Sequence, residues 1–156
     1  MRIALLGAGH IGQTIARLLQ RSGDYQVTVV DRSAQALQLI TADGGSAPAT
    51  HVVDTSDAGA LRQVLRGHDA VLNALPYHLA TLAAGAAKEA RCHYFDLTED
   101  VAATRTIKQL AEGAQTAFMP QCGLAPGFIG IVAHHLAQPF ETLLDVKMRV
   151  GALPAF

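Results

Sequence analysis

Three glycines near the start of the chain are spaced for a tight turn between a strand and a helix. Gly7, Gly9 and Gly12 form the pattern G-x-G-x-x-G, after a short aliphatic run and at the start of an amphipathic segment. Gly7 would permit the turn, Gly9 would let the backbone approach a pyrophosphate, and Gly12 would let helix and strand pack closely. The free N–H groups of the helix would then bind phosphate. We include His10 and Ile11 in this predicted dinucleotide site, with His10 expected to cover the turn.

A carboxylate follows the glycine motif at the distance expected of a ribose-binding residue. Asp31 lies 19 residues past Gly12, at the end of the second predicted strand. A carboxylate at that position accepts hydrogen bonds from the adenosine ribose hydroxyls, and its charge repels a 2′-phosphate. Arg32 favours the opposite preference, because its guanidinium could pair with that phosphate. On balance these residues predict NAD in preference to NADP.

Polar residues also end several of the other predicted strands, where open α/β sheets bind ligands. Asp54 could accept a hydrogen bond from the adenine amino group, and the segment from Asn73 would pass along the cofactor toward the nicotinamide ribose. For Asp54 and Asp96, a turn or helix-capping role is an open alternative. Asn73 favours the cofactor role, because Pro76 can start the next helix without it. The predicted cofactor residues in this part of the chain are Asp54, Asn73, Ala74, Pro76, Asp96 and Gly123.

Three side chains are candidates for the chemistry itself. Tyr77 and His78 follow the fourth predicted strand and could face the nicotinamide as an acid or base; solvated positions in a first helical turn are the alternative. Cys122 lies in a glycine-rich loop where a nucleophile could sit, or it is simply a small buried residue. His134 and His135 are adjacent on a predicted helix, so their side chains diverge and no metal site is expected.

Short apolar runs alternate with helical ones along the chain. Strands are predicted at 3–6, 27–30, 52–53, 70–72, 93–95 and 116–119. Helices are predicted at 10–22, from a Ser33 cap to Gly44 and Gly45, after an Asp57 cap, at 76–90, from a Thr98 cap to Gly113, and at 128–137. Strands that alternate with helices imply βαβ units and a parallel sheet. The sequence therefore predicts an α/β domain with the doubly wound Rossmann arrangement over residues 1–140.

The end of the chain departs from this rhythm. Over residues 144–150 apolar and charged residues alternate, which is typical of a half-exposed strand in an antiparallel sheet. Only six residues follow, and an unpaired amphipathic strand promotes aggregation. We therefore expect residues 141–156 to begin a truncated second domain of the α+β class. The alternative is that this strand docks on the edge of the Rossmann sheet.

Composition excludes several classes of function. The 156 residues carry a formal net charge of −1, which gives no basic field for nucleic acid or an anionic membrane. No run approaches the roughly 20 apolar residues of a membrane span. Cys92 and Cys122 lack metal-binding spacing and are expected to be reduced thiols in a cytoplasmic protein.

With these motifs in place, the sequence resembles the saccharopine dehydrogenase-like family, the group that includes lysine 6-dehydrogenase. The resembling segments lie at 7–12, 30–32, 73–76, 95–100, 123–127 and 150–154. The resemblance implies a two-domain NAD(P)-dependent dehydrogenase that moves a hydride between nicotinamide and an amine-bearing carbon of an amino acid, such as lysine or saccharopine. It also implies a homodimer in full-length form. Because family members extend well beyond Phe156, this chain alone is expected to bind cofactor and to turn over little substrate.

Other functions would share some of these features. A regulatory NAD(H)-sensing domain would share residues 7–31, but it would not need the loop at 123–127 or the alternating segment after it. A cysteine-dependent semialdehyde dehydrogenase would use Cys122 as its nucleophile. A self-contained short-chain dehydrogenase is set aside, because none of the three tyrosines is followed by a lysine four residues later.

Overall fold

Strands and helices alternate through residues 1–40 and 47–151, the ranges that this computed structural model describes. The strands are β1 (Arg2–Leu6), β2 (Gln26–Asp31), β3 (Ala49–Val52), β4 (Ala70–Asn73), β5 (His93–Asp96) and β6 (Phe118–Met119). The helices are α1 (His10–Ser22), α2 (Ala34–Gln38), α3 (Ala58–Leu65), α4 (Ala80–Ala90), α5 (Val101–Ala111) and α6 (Phe128–Ala137). A 3₁₀ turn at Tyr77–Leu79 leads into α4.

The described strands form one parallel sheet in the order β3-β2-β1-β4-β5-β6. The register places the last residues of neighbouring strands side by side: Leu6 pairs with Asn73, and Asn73 with Asp96. The strand order reverses between β1 and β4, which is where open α/β sheets form a ligand crevice at their carboxyl edge. The predicted α/β class and doubly wound Rossmann arrangement are confirmed.

Aliphatic side chains fill both faces of the sheet. On one face, Leu61 of α3 and Ile107 of α5 are fully buried, and the alanines of α4 pack between them. On the other face, Leu37 of α2 and Val29 of β2 are buried together with Ala16 of α1. Each fully buried leucine or valine contributes roughly 1.5–3 kcal/mol relative to an exposed one. The packing on both faces makes the sheet a rigid platform for the loops at its carboxyl edge.

Helix caps agree with the sequence in two cases and differ in a third. Ser33 and Asp57 accept hydrogen bonds from the first free N–H groups of α2 and α3, as predicted. The predicted Thr98 cap of α5 is wrong, because the carboxylate of Asp100 accepts from Ala103 N at 2.7 Å and takes that role. The Thr98 hydroxyl instead accepts from Asp100 N at 3.2 Å. A carboxylate is the stronger acceptor for the free donors at a helix start.

The second helix is shorter than the sequence suggests. α2 ends at Gln38, whereas the glycines expected to stop it, Gly44 and Gly45, lie outside the described residues. Leu39 N donates to the carbonyl of Ala36 at 3.1 Å, an i→i+3 bond of the kind that tightens a last helical turn.

Residues 144–150 do not form the predicted strand. They are irregular and exposed, and the side chain of Leu144 is 95% exposed. A strand needs a neighbour for its backbone N–H and C=O groups, and no described strand lies beside this segment. The edge strands of the described sheet are β3 and β6, so the edge-docking alternative is not adopted either.

Candidate functional site

Two of the motif glycines are required by the backbone itself. Gly7 has a φ of +101°, and a Cβ there would lie 2.8 Å from the carbonyl oxygen of Ala74. A Cβ on Gly12 would overlap the carbonyl group of Gly7. Gly7 therefore permits the turn, and Gly12 permits the close packing of α1 on β1, in the roles that the motif predicts.

By contrast, neither the backbone conformation nor the packing of the protein requires a glycine at position 9. Its backbone is extended, with φ −69° and ψ −174°, a conformation open to any residue. A Cβ on Gly9 would meet no atom within 4 Å. Gly9 instead lines a cleft of about 510 Å³, which also borders Gly7 and Asp31. We call this the first cleft. A side chain on Gly9 would occupy space next to this cleft, not space inside the protein core.

The N-terminus of α1 lies at Gly9, beside the first cleft. No side chain caps this helix, and its first turn contains no acidic residue. Among the other helices, α2, α3 and α5 begin with a side-chain cap, whereas α4 and α6 do not. The free N–H groups of α1 carry the partial positive charge of the helix dipole. Together with the open space at Gly9, they make a cradle suited to a phosphate group.

Asp31 ends β2 beside this cradle and is half-buried. Its carboxylate accepts from Ala8 N at 2.7 Å and from Ser33 N at 2.8 Å. Each oxygen keeps a further lone pair for another donor. The carboxylate therefore steadies the glycine turn and can still accept from hydroxyl groups in the first cleft.

Arg32 and Asp54 also line the first cleft. Asp54 accepts from the hydroxyl and the backbone N–H of Ser56 at 2.6 and 3.0 Å. These bonds, and the positive charge of Arg32, lower the pKa of Asp54 below its usual value. Asp54 thus performs the turn role that the sequence left open, and it adds a negative charge to the cleft wall.

A second cleft of about 870 Å³ lies on the other side of Ala74 and Leu75, which border both clefts. Its walls include Ile11 and Tyr77, which are 59% and 65% exposed. Asn73, Asp96, Glu99 and Val101 also border it. The two clefts together cross the carboxyl edge of the sheet from β2 to β5. A mostly apolar cleft with a few polar groups is typical of a small-molecule binding site.

Asn73 and Asp96 are buried, with 2% and 1% of their surface exposed. Asn73 Oδ1 accepts from Leu75 N at 3.1 Å, and its Nδ2 donates to the Tyr94 hydroxyl at 3.1 Å. That hydroxyl lies 2.9 Å from Asp96 Oδ2. The predicted cofactor residues Asn73 and Asp96 therefore belong to a buried hydrogen-bonded network. Sequence reasoning missed Tyr94, although its position two residues before Asp96 places both side chains on one face of β5.

Tyr77 and His78 do not face a common site. Tyr77 lines the second cleft, whereas His78 lines the first, with Gly9 and Asp31. Their rings stand at 88° to each other, with centroids 5.8 Å apart. Of the pair, Tyr77 is therefore the one placed beside the apolar second cleft.

Several predicted residues lie outside the lining of both clefts, namely His10, Gly12, Cys122 and Gly123. A Cβ on Gly123 would lie 3.1 Å from the carbonyl oxygen of Leu97, so this glycine lets its loop pack against the loop after β5. Cys122 is exposed, so the alternative of a small buried residue is wrong. Its sulfur lies 3.3 Å from the carbonyl oxygen of Met119. Desolvation of the sulfur by neighbouring atoms, and then the charge of Asp96, raise the pKa of the Cys122 thiol. A protonated thiol is a poor nucleophile.

We expect the Cys122 thiol to alkylate more slowly than the cysteine thiol of an unstructured peptide at pH 8, because its raised pKa lowers the thiolate population. Iodoacetamide labelling of the native chain, followed by mass spectrometry, measures this rate. Cys92 is fully buried and should label only after denaturation, which provides an internal control. Cys122→Ser should also leave dinucleotide affinity unchanged. Faster labelling than the cysteine of the unstructured peptide would restore the nucleophile hypothesis.

Metal ligation and a membrane-spanning helix are two further possibilities for residues 1–40 and 47–151. No group of three or more His, Cys, Asp or Glu side chains within these ranges could hold a metal ion. His134 contacts Gln138 at 3.5 Å near the end of α6. No helix in the described part of the chain is long and apolar enough to cross a membrane.

Solved structures of known dehydrogenases have a fold similar to that of this chain. The chain resembles apo saccharopine dehydrogenase (L-Glu forming) from Saccharomyces cerevisiae, with 25% identity and a TM-score of 0.74 over 88% of this chain and 31% of the yeast chain. It is similar in fold to the WlbA dehydrogenase of Chromobacterium violaceum, solved with NADH and UDP-GlcNAcA (16% identity, TM-score 0.65, 89% of this chain and 40% of that one). A shikimate 5-dehydrogenase from Mycobacterium fortuitum shares the fold at 21% identity and a TM-score of 0.60, over 77% of this chain and 44% of that one.

The chain thus spans about a third of the length of the yeast enzyme. Residues 3–119 match the family described as the saccharopine dehydrogenase NADP binding domain. This match includes the glycine turn, the ends of β2, β4 and β5, and the walls of both clefts. The predicted family resemblance is confirmed, and the chain belongs to the saccharopine dehydrogenase NADP-binding-domain family.

Proposed function

We propose that this chain is the nicotinamide-dinucleotide-binding domain of an oxidoreductase and that it prefers NAD to NADP. One observation carries the proposal. Gly9 leaves open space at the uncapped N-terminus of α1, and this space lies beside the Asp31 carboxylate. The fold itself does not require a glycine at position 9, whereas a bound pyrophosphate does.

Each of the two clefts would hold one half of the cofactor. Asp31 would accept from the adenosine ribose hydroxyls in the first cleft, and the free N–H groups of α1 would hold the pyrophosphate. The ring would lie in the second cleft, against Ile11 and Tyr77, with the backbone of Ala74 and Leu75 between the two halves. When bound, the nicotinamide would supply a carbon that accepts or donates a hydride. The protein's own contribution is to bind the cofactor and orient it.

The charges of the first cleft support the preference for NAD. Its walls carry the carboxylates of Asp31 and Asp54 against the single guanidinium of Arg32. The positive charge of Arg32 also acts on Asp54, whose pKa it helps to lower after the hydrogen bonds from Ser56. A 2′-phosphate would add negative charge to a wall that is already net negative. The family description names NADP, and this chain is proposed to differ from it in preference.

For the whole protein, we propose a dehydrogenase that acts on an amine-bearing carbon of an amino acid of the lysine or saccharopine type. The 25% identity with a saccharopine dehydrogenase supports this substrate class. The large apolar side chains Phe128, Ile131, Leu136 and Phe140, in and just after α6, are between 60% and 71% exposed, and apolar surface that forms a patch is normally covered. We propose that an α+β domain covers it, supplies substrate-binding residues and forms a homodimer interface.

Parallel titrations of this chain with NADH and NADPH, followed by nicotinamide fluorescence, test the cofactor proposal. We expect saturable binding of both ligands, with NADH the tighter, because of the charge of the first cleft. ADP-ribose should displace NADH, which separates specific binding from adsorption. Tighter binding of NADPH would contradict the assigned preference, and the absence of saturable binding of either ligand would contradict the cofactor site.

A further inference from the structure

A continuous chain of buried hydrogen bonds lies beneath the second cleft. It runs from Asn73 at the end of β4, through the Tyr94 hydroxyl, to Asp96 at the end of β5, with contacts of 3.1 and 2.9 Å. None of the three residues is more than 2% exposed. We call these three residues the Tyr94 network.

The hydroxyl of Tyr94 has one proton and two acceptors within reach. Asp96 Oδ2 lies at 2.9 Å and the carbonyl oxygen of Ala80 at 3.1 Å. Asn73 Nδ2 donates to the same hydroxyl oxygen. A hydrogen bond to a charged carboxylate is stronger than one to a neutral carbonyl, so the proton is directed to Asp96. Burial, and then the charge of Asp96, raise the pKa of Tyr94, and the phenol stays protonated.

The Tyr94 network holds the backbone of three loops. Asn73 Oδ1 accepts from Leu75 N, in the loop after β4. Asp96 Oδ1 accepts from Thr98 N at 3.1 Å and from Gln121 N at 3.0 Å, in the loops after β5 and β6. The first two of these loops form walls of the second cleft. The Leu75 backbone also separates the second cleft from the first.

We propose that Tyr94 and Asp96 are positioning residues that set the shape of the second cleft for the nicotinamide ring. Asp96 borders the second cleft with only 1% of its surface exposed, and it acts on the shape of the cleft through the loop backbones that it holds. The inference rests on the proposed function, because it assigns the ring to this cleft. The adenosine half of the cofactor lies over β2 and does not depend on the Tyr94 network.

Asp96→Asn is a conservative variant, because its side-chain amide can replace the hydrogen bonds of the carboxylate. In Asp96→Asn, the amide oxygen can still accept from Thr98 N and Gln121 N. The amide NH₂ can donate to the Tyr94 hydroxyl, which then donates to the carbonyl of Ala80. The backbone N–H groups of Thr98 and Gln121 and the Tyr94 hydroxyl all keep an acceptor, and the second N–H of the new amide is the one donor added, so the loops should keep their positions. In Asp96→Ala and Tyr94→Phe, buried partners lose their bonds, which weakens the hold on the loops.

The test compares NADH with ADP-ribose, which lacks only the nicotinamide ring. Calorimetric titration of both ligands gives an affinity ratio that reports the ring's contribution. We expect Asp96→Ala and Tyr94→Phe to lower this ratio by about tenfold, or about 1.4 kcal/mol, with ADP-ribose affinity unchanged. Asp96→Asn should keep the wild-type ratio. Ile107→Val, which trims the same core but removes none of the hydrogen bonds of the network, should also keep it.

The outcomes separate the inference from the proposed function. If the wild-type chain binds neither ligand, the proposed function fails, and the inference fails with it. If the wild-type chain binds both, the inference is overturned when all variants keep the wild-type ratio, when both ligands weaken equally, or when Asp96→Asn loses as much as Asp96→Ala. A cooperative thermal transition confirms folding, and Tyr94→Phe carries the test if Asp96→Ala does not fold.

Discussion

Gly9→Val is expected to abolish NADH binding and to leave the fold intact. The backbone at Gly9 is one that valine adopts readily, and a Cβ there meets no protein atom within 4 Å. The side chain would instead fill the space where a pyrophosphate approaches the free N–H groups of α1. Loss of that contact removes the main anion-binding feature of the first cleft, so NADH affinity should fall at least a hundredfold, about 2.7 kcal/mol or more.

Two control variants show whether the loss of NADH binding is specific to position 9. Gly130→Val also places a valine where a Cβ meets nothing within 4 Å, but on α6 and away from both clefts, so NADH should bind as in the wild type. Gly12→Val should fail to fold correctly, because its Cβ would overlap the carbonyl of Gly7. Fluorescence titration and thermal unfolding distinguish these cases. Undiminished NADH affinity in Gly9→Val would refute the phosphate cradle.

Asp31→Asn is expected to weaken NADH binding and to narrow the preference for NADH over NADPH. A like-charge pair at about 4 Å costs about 4 kcal/mol at an effective dielectric of about 20, which corresponds to roughly a thousandfold in affinity. Solvent screening lowers this figure, so the ratio should narrow by between about tenfold and a thousandfold. The amide also keeps only one acceptor oxygen for the N–H groups of Ala8 and Ser33, which loosens the glycine turn.

Asp69→Asn makes the same change of charge at the opposite edge of the sheet. Asp69 precedes β4 and pairs with Arg2 at 2.9 Å, far from the carboxyl edge where both clefts lie. The ratio of NADH affinity to NADPH affinity in Asp69→Asn should match that of the wild type in parallel fluorescence titrations. An unchanged ratio in Asp31→Asn, or an equal change in Asp69→Asn, would show that Asp31 does not select the cofactor.

Much of the fold follows from local features of the sequence. The glycine spacing predicts a turn whose backbone requires glycine at positions 7 and 12. The alternating strands and helices predict the parallel sheet, and the caps at Ser33 and Asp57 are where they were expected. These features depend on residues a few positions apart, so hydrophobic periodicity and backbone geometry are sufficient to predict them.

The division of the site was decided by the tertiary structure. Tyr77 and His78 are adjacent in sequence, yet they line different clefts. Asp96, predicted to bind the cofactor, lies buried at the wall of the second cleft and holds two loop backbones there; its contact with the cofactor stays a prediction. Which cleft a side chain borders depends on the path of the turn that carries it, and this path depends on the strands packed beside it.

The sequence by itself determined the family, the Rossmann fold and the glycine turn that Asp31 follows. Motif spacing and hydrophobic periodicity along the chain are enough to encode these features. Only the tertiary structure decided that Tyr94 joins Asn73 to Asp96, since the first two residues lie 21 positions apart and meet through the parallel pairing of β4 and β5. Residues 144–150 likewise do not form the strand that their alternating pattern predicts. Alternation can give a strand one apolar side, but it cannot provide the neighbouring backbone with which a strand must form hydrogen bonds.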